Sequence, residues 1–128
     1  MSQRGFTLIE VLIVVVIIGI IVAFAIPNSA STKEKAYITS MKSDLRNLVG
    51  AEEAYYADSG EYTKHVGHHG LGAAEFEQTT GNSKPHIDLT PDGWTAWDAN
   101  VNTTETCVIF VGSTPLAPAT KEGEPRCQ

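Results

Sequence analysis

A chain of 128 residues, 42% of them apolar and 19% charged, has room for one domain with a small core. Its net charge of −6, with no stripe of lysine or arginine, argues against general nucleic-acid binding through phosphate contacts. No nucleophile, base and oxyanion donors stand in a recognisable motif, so no enzymatic activity is expected.

The chain opens with Arg4-Gly5-Phe6-Thr7-Leu8-Ile9-Glu10 and then runs from Val11 to Ile26 without a charge. At about 1.5 Å per residue, Phe6 to Ile26 is long enough to cross a bilayer core, which takes about 20 residues. Glu10 is the exception within it. An acid inside a spanning helix costs on the order of 2.5–3.5 kcal/mol on insertion scales, so Glu10 requires a positive partner that this helix does not contain. An ordinary secretory signal cut after Ala25 fits less well, because its apolar core would be shorter and would not begin with an acid. An unrelated single-pass anchor is the other plain reading.

This opening closely resembles that of the bacterial type IV pilin and pseudopilin superfamily, whose leader ends in Gly and is followed by Phe-Thr-Leu-Ile-Glu and a long apolar helix. The resemblance implies that residues 1–5 are a leader removed by a prepilin peptidase between Gly5 and Phe6, that the new amine of Phe6 is methylated, and that residues 6–27 form a membrane-spanning and assembly half-helix. Residues 28–128 would then be a globular domain outside the cytoplasm. It further implies an inner-membrane subunit with a cytoplasmic N-terminus, polymerising with copies of itself through the assembly machinery, with Phe6 and Glu10 carrying the assembly. Charge alone orients the span only weakly, since Arg4 precedes it while Lys33 and Lys35 flank Glu34 after it.

Beyond Pro27 the apolar residues Ile38, Met41, Leu45, Leu48 and Tyr55 recur at helical spacing, widened by Val49 and Tyr56, and predict an amphipathic continuation that stops at Asp58-Ser59-Gly60. Lys35, Lys42, Asp44, Arg46 and Glu53 are assigned to its solvent face. One helix from Phe6 to about Asp58 is expected, with a kink at Pro27, which has no amide hydrogen for the carbonyl of Ala23. Gly19 lowers helix propensity in the same stretch. The resemblance implies that Gly19 to Pro27 loses helical order in the filament.

Gly60 to Pro85 reads as a long surface loop with a short helical turn near Ala73 to Gln78. Strands are expected at His86–Thr90, Gly93–Trp97 and Cys107–Val111. The fold class is therefore α+β, a long N-terminal helix packed by its second half on a small antiparallel sheet. In the oxidising location that the leader implies, Cys107 and Cys127 are expected to pair and to bound a C-terminal surface loop, with two free thiols as the plain alternative.

His65-x-x-His68-His69, with His86, Glu61 and Glu75 elsewhere, offers zinc or copper ligands but no fixed metal-site spacing, so neither a metal nor a cofactor is expected. Asp88, Asp92, Asp98 and Glu105 form no EF-hand pattern and are assigned to solubility. Asn102-Thr103-Thr104 is a formal glycosylation acceptor. Phe6, Phe24, Tyr37, Tyr55, Tyr56 and Tyr62 are read as packing residues rather than as a conduction path.

The leading functional expectation is the major subunit of a type IV pilus used for adhesion, surface motility or DNA uptake. The major pseudopilin of a type II secretion system is the rival, although the resemblance associates that class with calcium in the C-terminal loop where this chain has two cysteines. A membrane-anchored metal-binding module is the alternative of another class.

Overall fold

The structure, a computed structural model, describes residues 5–25, 29–67 and 72–128. The chain divides into two compact units, Met1–Lys33 and Glu34–Gln128.

In the first unit, helix α1 spans Leu8–Ala25. Thr7 opens it: the amides of Glu10 and Val11 donate to the Thr7 carbonyl, and the Thr7 hydroxyl faces the Glu10 carboxylate at 3.4 Å. An acid in this first turn meets the positive end of the helix dipole. None of the side chains of α1 is buried, and the helix is long and apolar enough to cross a membrane. Helix α2 spans Ser29–Ser59, and Pro27 with its expected kink lies outside the described residues.

In the second unit, Met41, Leu45 and Leu48 project from α2 at steps of four and three and are completely buried. Burial of side chains of this size contributes roughly 1.5–3 kcal/mol each. The helix ends where expected, with Gly60 at φ +79° donating its amide to the carbonyl of Tyr56. A left-handed glycine is the common helix terminator because it has no Cβ to clash.

A short parallel pair follows, β1 (Val66–Gly67) with β2 (Ala74–Glu75). The expected helical turn at Ala73 to Gln78 is therefore corrected to extended chain. Ala74 and Phe76 are buried while Glu75 and Glu77 face solvent, an alternation of period two that only a strand can satisfy.

The main sheet is antiparallel in the order β3-β4-β5-β6, with β3 at His86–Thr90, β4 at Gly93–Ala99, β5 at Thr106–Val111 and β6 at Arg126–Cys127. Residues directly opposite in such a pairing share a face, so the register Ile87↔Ala96↔Ile109 defines the inner one. Ile87, Trp94, Ala96, Cys107 and Ile109 form one core with Met41, Leu45 and Leu48. Val108 and Phe110 turn to the outer face, where Ala119 and Leu116 of the tail cover them.

The C-terminal segment is thus more than the surface loop expected. It packs Ala119 on the sheet and ends as β6, where Cys127 is opposite Cys107 and the two are joined by a disulfide. At the other end of β4, a Cβ on Gly93 would collide with the backbone carbonyl of Val111, so only glycine allows β4 and β5 to approach there.

Candidate functional site

The most unusual surface of the chain is α1. Leu8, Ile9, Ile13, Ile17, Ile21 and Phe24 are all more than half exposed, and no polar residue interrupts the helix after Glu10. Such a surface is not stable in water and requires lipid or other apolar helices. Phe6 and Glu10 stand at its start, both exposed, and Gly5 precedes them in a position where an added Cβ would meet nothing within 4 Å. Gly19 is likewise open on the helix surface. Gly5, Phe6 and Glu10 are all exposed, and the Glu10 carboxylate faces the Thr7 hydroxyl at 3.4 Å.

The second unit carries three buried acids, none of which the sequence identified. Asp44, assigned to the solvent face of α2, is 2% exposed because its carboxylate accepts hydrogen bonds from the Thr79 amide, the Thr79 hydroxyl and the Asn82 side-chain amide, each at 2.7 Å. Asn100 donates in turn to Asn82 at 2.7 Å. The pattern fails at Asp44 because it lies beside Met41, Leu45 and Leu48, and the loop that satisfies it is distant in sequence.

Asp98, assigned to solubility, is completely buried on the inner face of β4. It accepts a hydrogen bond from the Ser83 hydroxyl at 3.1 Å, and its other oxygen has no hydrogen-bond partner among the described residues. Burial pushes its carboxyl up to about 6, opposed by the Ser83 hydrogen bond and assisted by the nearby Asp44 carboxylate. Glu52, also fully buried, accepts the Thr63 amide at 3.0 Å, and its second oxygen has no hydrogen-bond partner among the described residues. Burial raises it to about 7, against the lowering effect of the Thr63 bond. Asp44 and Glu52 tie α2, and Asp98 ties β4, to the chain between the helix and the sheet. The alternation in β4 was the available signal, since Trp94, Ala96 and Asp98 share one face.

The remaining candidates do not converge. His68 and His69 lie outside the described residues, and among the described residues no group of three or more His, Cys, Asp or Glu side chains is placed to hold a metal ion. His86 stacks on Trp97 with ring centroids 5.5 Å apart and lies 3.4 Å from Asp88. Asp92 accepts the Ser113 amide at 2.8 Å, and its hydrogen bonds to Ser113 hold its carboxyl below the usual range. Asn102 is exposed in a turn, with its side-chain amide directed at Asn100 at 3.3 Å. Of the aromatics, Tyr56 and Tyr62 stack at 4.6 Å, whereas Phe6 and Phe24 are exposed.

Residues 1–26 match the family described as the prokaryotic N-terminal methylation motif. The chain is similar to type II secretion system core protein G of Klebsiella pneumoniae, 37% identical over 92 residues that cover 71% of this chain and 61% of that protein. The same-named protein of Pseudomonas aeruginosa is 37% identical over 84 residues, covering 66% of this chain and 57% of that one. Type IV major pilin protein PilA of Myxococcus xanthus is 39% identical over 61 residues, covering 48% of this chain and 28% of that protein. The chain therefore matches less than two thirds of the length of these relatives. A methylation motif leading into an exposed apolar helix, a second helix on a small antiparallel sheet, and these similarities together identify the chain as a member of the type IV pilin and pseudopilin superfamily.

Proposed function

We propose that this chain is a major pseudopilin, the repeating subunit of a type II secretion fibre, assembled from copies of itself through the segment that begins at Phe6. The observation that carries this reading is the reach of the similarity to secretion core protein G. Its 92 matched residues far exceed the 26 of the shared N-terminal motif, so the likeness belongs to more than the assembly helix. The sequence by itself puts a long surface pilus first, because the N-terminal segment serves both classes.

On this reading a prepilin peptidase cuts after Gly5 at the cytoplasmic face, Phe6 is methylated, and residues 6–27 hold the subunit in the inner membrane until assembly. Residues 28–128 are the periplasmic domain. During assembly the Phe6 ammonium of an incoming copy is placed beside the Glu10 carboxylate of one already in the fibre. Two opposite charges meeting in a low-dielectric setting attract far more strongly than in water, and the pair removes the cost of a lone intramembrane acid. Lipid is as apolar as the helix, so such polar contacts and packing, rather than hydrophobic burial, select the arrangement.

The pilus is the second reading, favoured by the Cys107–Cys127 disulfide, since the secretion class is associated with calcium in this loop. Deleting the chain from its host separates the two. The secretion reading predicts folded exoproteins retained in the periplasm with surface fibres unchanged; loss of surface fibres with normal secretion would establish the pilus instead.

A further inference from the structure

Four charged side chains of α2, three exposed and Lys42 half-buried, share one stripe, while the exposed Lys33, Glu34 and Asp58 lie off it. At 100° per residue, Lys35, Lys42, Arg46 and Glu53 follow at steps of seven, four and seven and lie within one narrow sector, beside the buried stripe of Met41, Leu45 and Leu48. The first three are cations and the last is an acid. Toward the C-terminal end of the helix the Tyr62 hydroxyl donates to Glu53 at 2.9 Å, and Tyr62 with Tyr56 lines a cleft that Glu61 and Asp92 also border.

This order does not help the helix itself. Cations first and acids last run against the helix dipole. Lys42 and Arg46 are like charges four residues apart, a destabilising spacing, and neither has an acid three or four positions away. Among the described residues, none of Lys35, Lys42 and Arg46 takes part in an ion pair. Arg46 and Glu53 are about 10 Å apart along the axis, beyond the reach of a contact within the chain.

We infer that this stripe is an interface between copies, in which the basic segment around Lys42 and Arg46 of one subunit docks on the acidic end at Glu53 of the next. The inference rests on the filament reading above. Copies inserted in one membrane with the same topology run in the same direction, so two α2 helices meet side by side in parallel. In register, parallel copies set cation against cation. A displacement of about 10–16 Å along α2, seven to eleven residues of rise, sets Glu53 against Arg46 and Lys42. A displaced parallel contact is heterologous and does not close on itself, which is the geometry of an open fibre. Charge complementarity of this kind fixes register, which the featureless apolar surface of α1 does not.

The test compares the full-length chain and its variants by the ratio of processed subunit in the fibre fraction to that in the membrane. Arg46→Glu should lower the ratio at least tenfold, and Lys42→Glu should do the same to a smaller degree. Glu53→Gln, which keeps an acceptor for Tyr62, should also lower it. Combining Arg46→Glu with Glu53→Arg should restore fibres. That rescue separates a docking contact from misfolding, because a folding defect would be compounded by the second change. Wild-type fibre yield from Arg46→Glu, or no rescue by the exchange, overturns the inference while leaving the filament reading intact. Absence of fibres from the wild-type chain would overturn both.

Discussion

Ile17 and Ile109 are the same side chain in opposite circumstances: the first is 51% exposed on α1, the second completely buried between sheet and helix. The contrast extends to their whole regions. Leu8–Ala25 has no buried residue and no polar face, whereas Glu34–Gln128 closes a core, satisfies Asp44 with three hydrogen bonds and joins its last strand by a disulfide. A region that is complete within one chain is a folding unit. A region whose surface is apolar apart from Glu10 is, on the proposed reading, completed by something outside the chain, first lipid and then other copies. The two should therefore respond to substitution in different measurements, stability for one and processing or assembly for the other.

The largest expected effect is at Gly5. An added Cβ there has open space and Gly5 lies outside the core of the second unit, so Gly5→Trp should leave that fold intact yet leave nearly all of the chain as precursor, detected by mass spectrometry as absence of an N-terminus at methylated Phe6. Normal maturation would break the leader assignment. Next comes the core. Leu45→Ala removes a fully buried side chain and should destabilise the second unit by about 2–5 kcal/mol, measured by thermal or denaturant unfolding in detergent, without affecting cleavage. A change in processing with unaltered stability would show that the two regions are not separable.

The disulfide closes a loop with a sequence separation of 20, and the chain-entropy account gives it about 3 kcal/mol. Replacing both Cys107 and Cys127 by Ala should lower stability by about 2–4 kcal/mol and reduce subunit abundance. Unchanged unfolding would mean that the strand pairing of β5 and β6 suffices to order the tail.

The smallest effect concerns Glu52. Its folded pKa of about 7 lies above the ordinary 4.5, so its contribution to stability is fully present below about pH 4.5 and is lost as pH rises through about 7. Asp98, raised to about 6 from 3.8, acts in the same direction over a lower window. Glu52→Gln removes the ionising group and should raise stability at pH 8 by about 1 kcal/mol relative to the wild type, flattening the profile between about pH 5 and 8. An unaltered profile would show that Glu52 is hydrated in solution.

These residues also mark where the sequence was readable. The membrane-length run, the Ile38-to-Tyr55 stripe, the terminator at Gly60 and the three main strands were legible because each is a local pattern with its own period. Asp44, Glu52 and Asp98 were not, since a charged residue reads as exposed unless its partners are known, and their partners Thr79, Thr63 and Ser83 are 35, 11 and 15 residues away, respectively. Strand β6 has two residues and exists through its pairing with β5. The turn expected at Ala73 to Gln78 was overruled by an alternation already visible in Ala74-Glu75-Phe76-Glu77. For the assembly segment, residues 5–10 carried nearly all of the information, but the choice between secretion fibre and pilus rests on the longer similarity, not on that shared opening.

The central claim, that α1 is completed by other copies through a charge pair, is tested most directly at Glu10. Glu10→Ala removes the acid from an exposed position in the first turn, where it faces the Thr7 hydroxyl at 3.4 Å and lies outside the core of the second unit, so folding of that unit should be unaffected. Membrane insertion becomes easier, and cleavage after Gly5 should proceed. The measurement is the amount of processed chain in isolated fibres relative to that in the membrane. Charge pairing predicts processed Glu10→Ala subunit in the membrane and at least tenfold less in fibres, with Glu10→Gln nearly as defective because it keeps shape without charge. Fibres from Glu10→Ala at the wild-type level would contradict it, leaving Glu10 as a helix-capping acid that snorkels to the membrane edge.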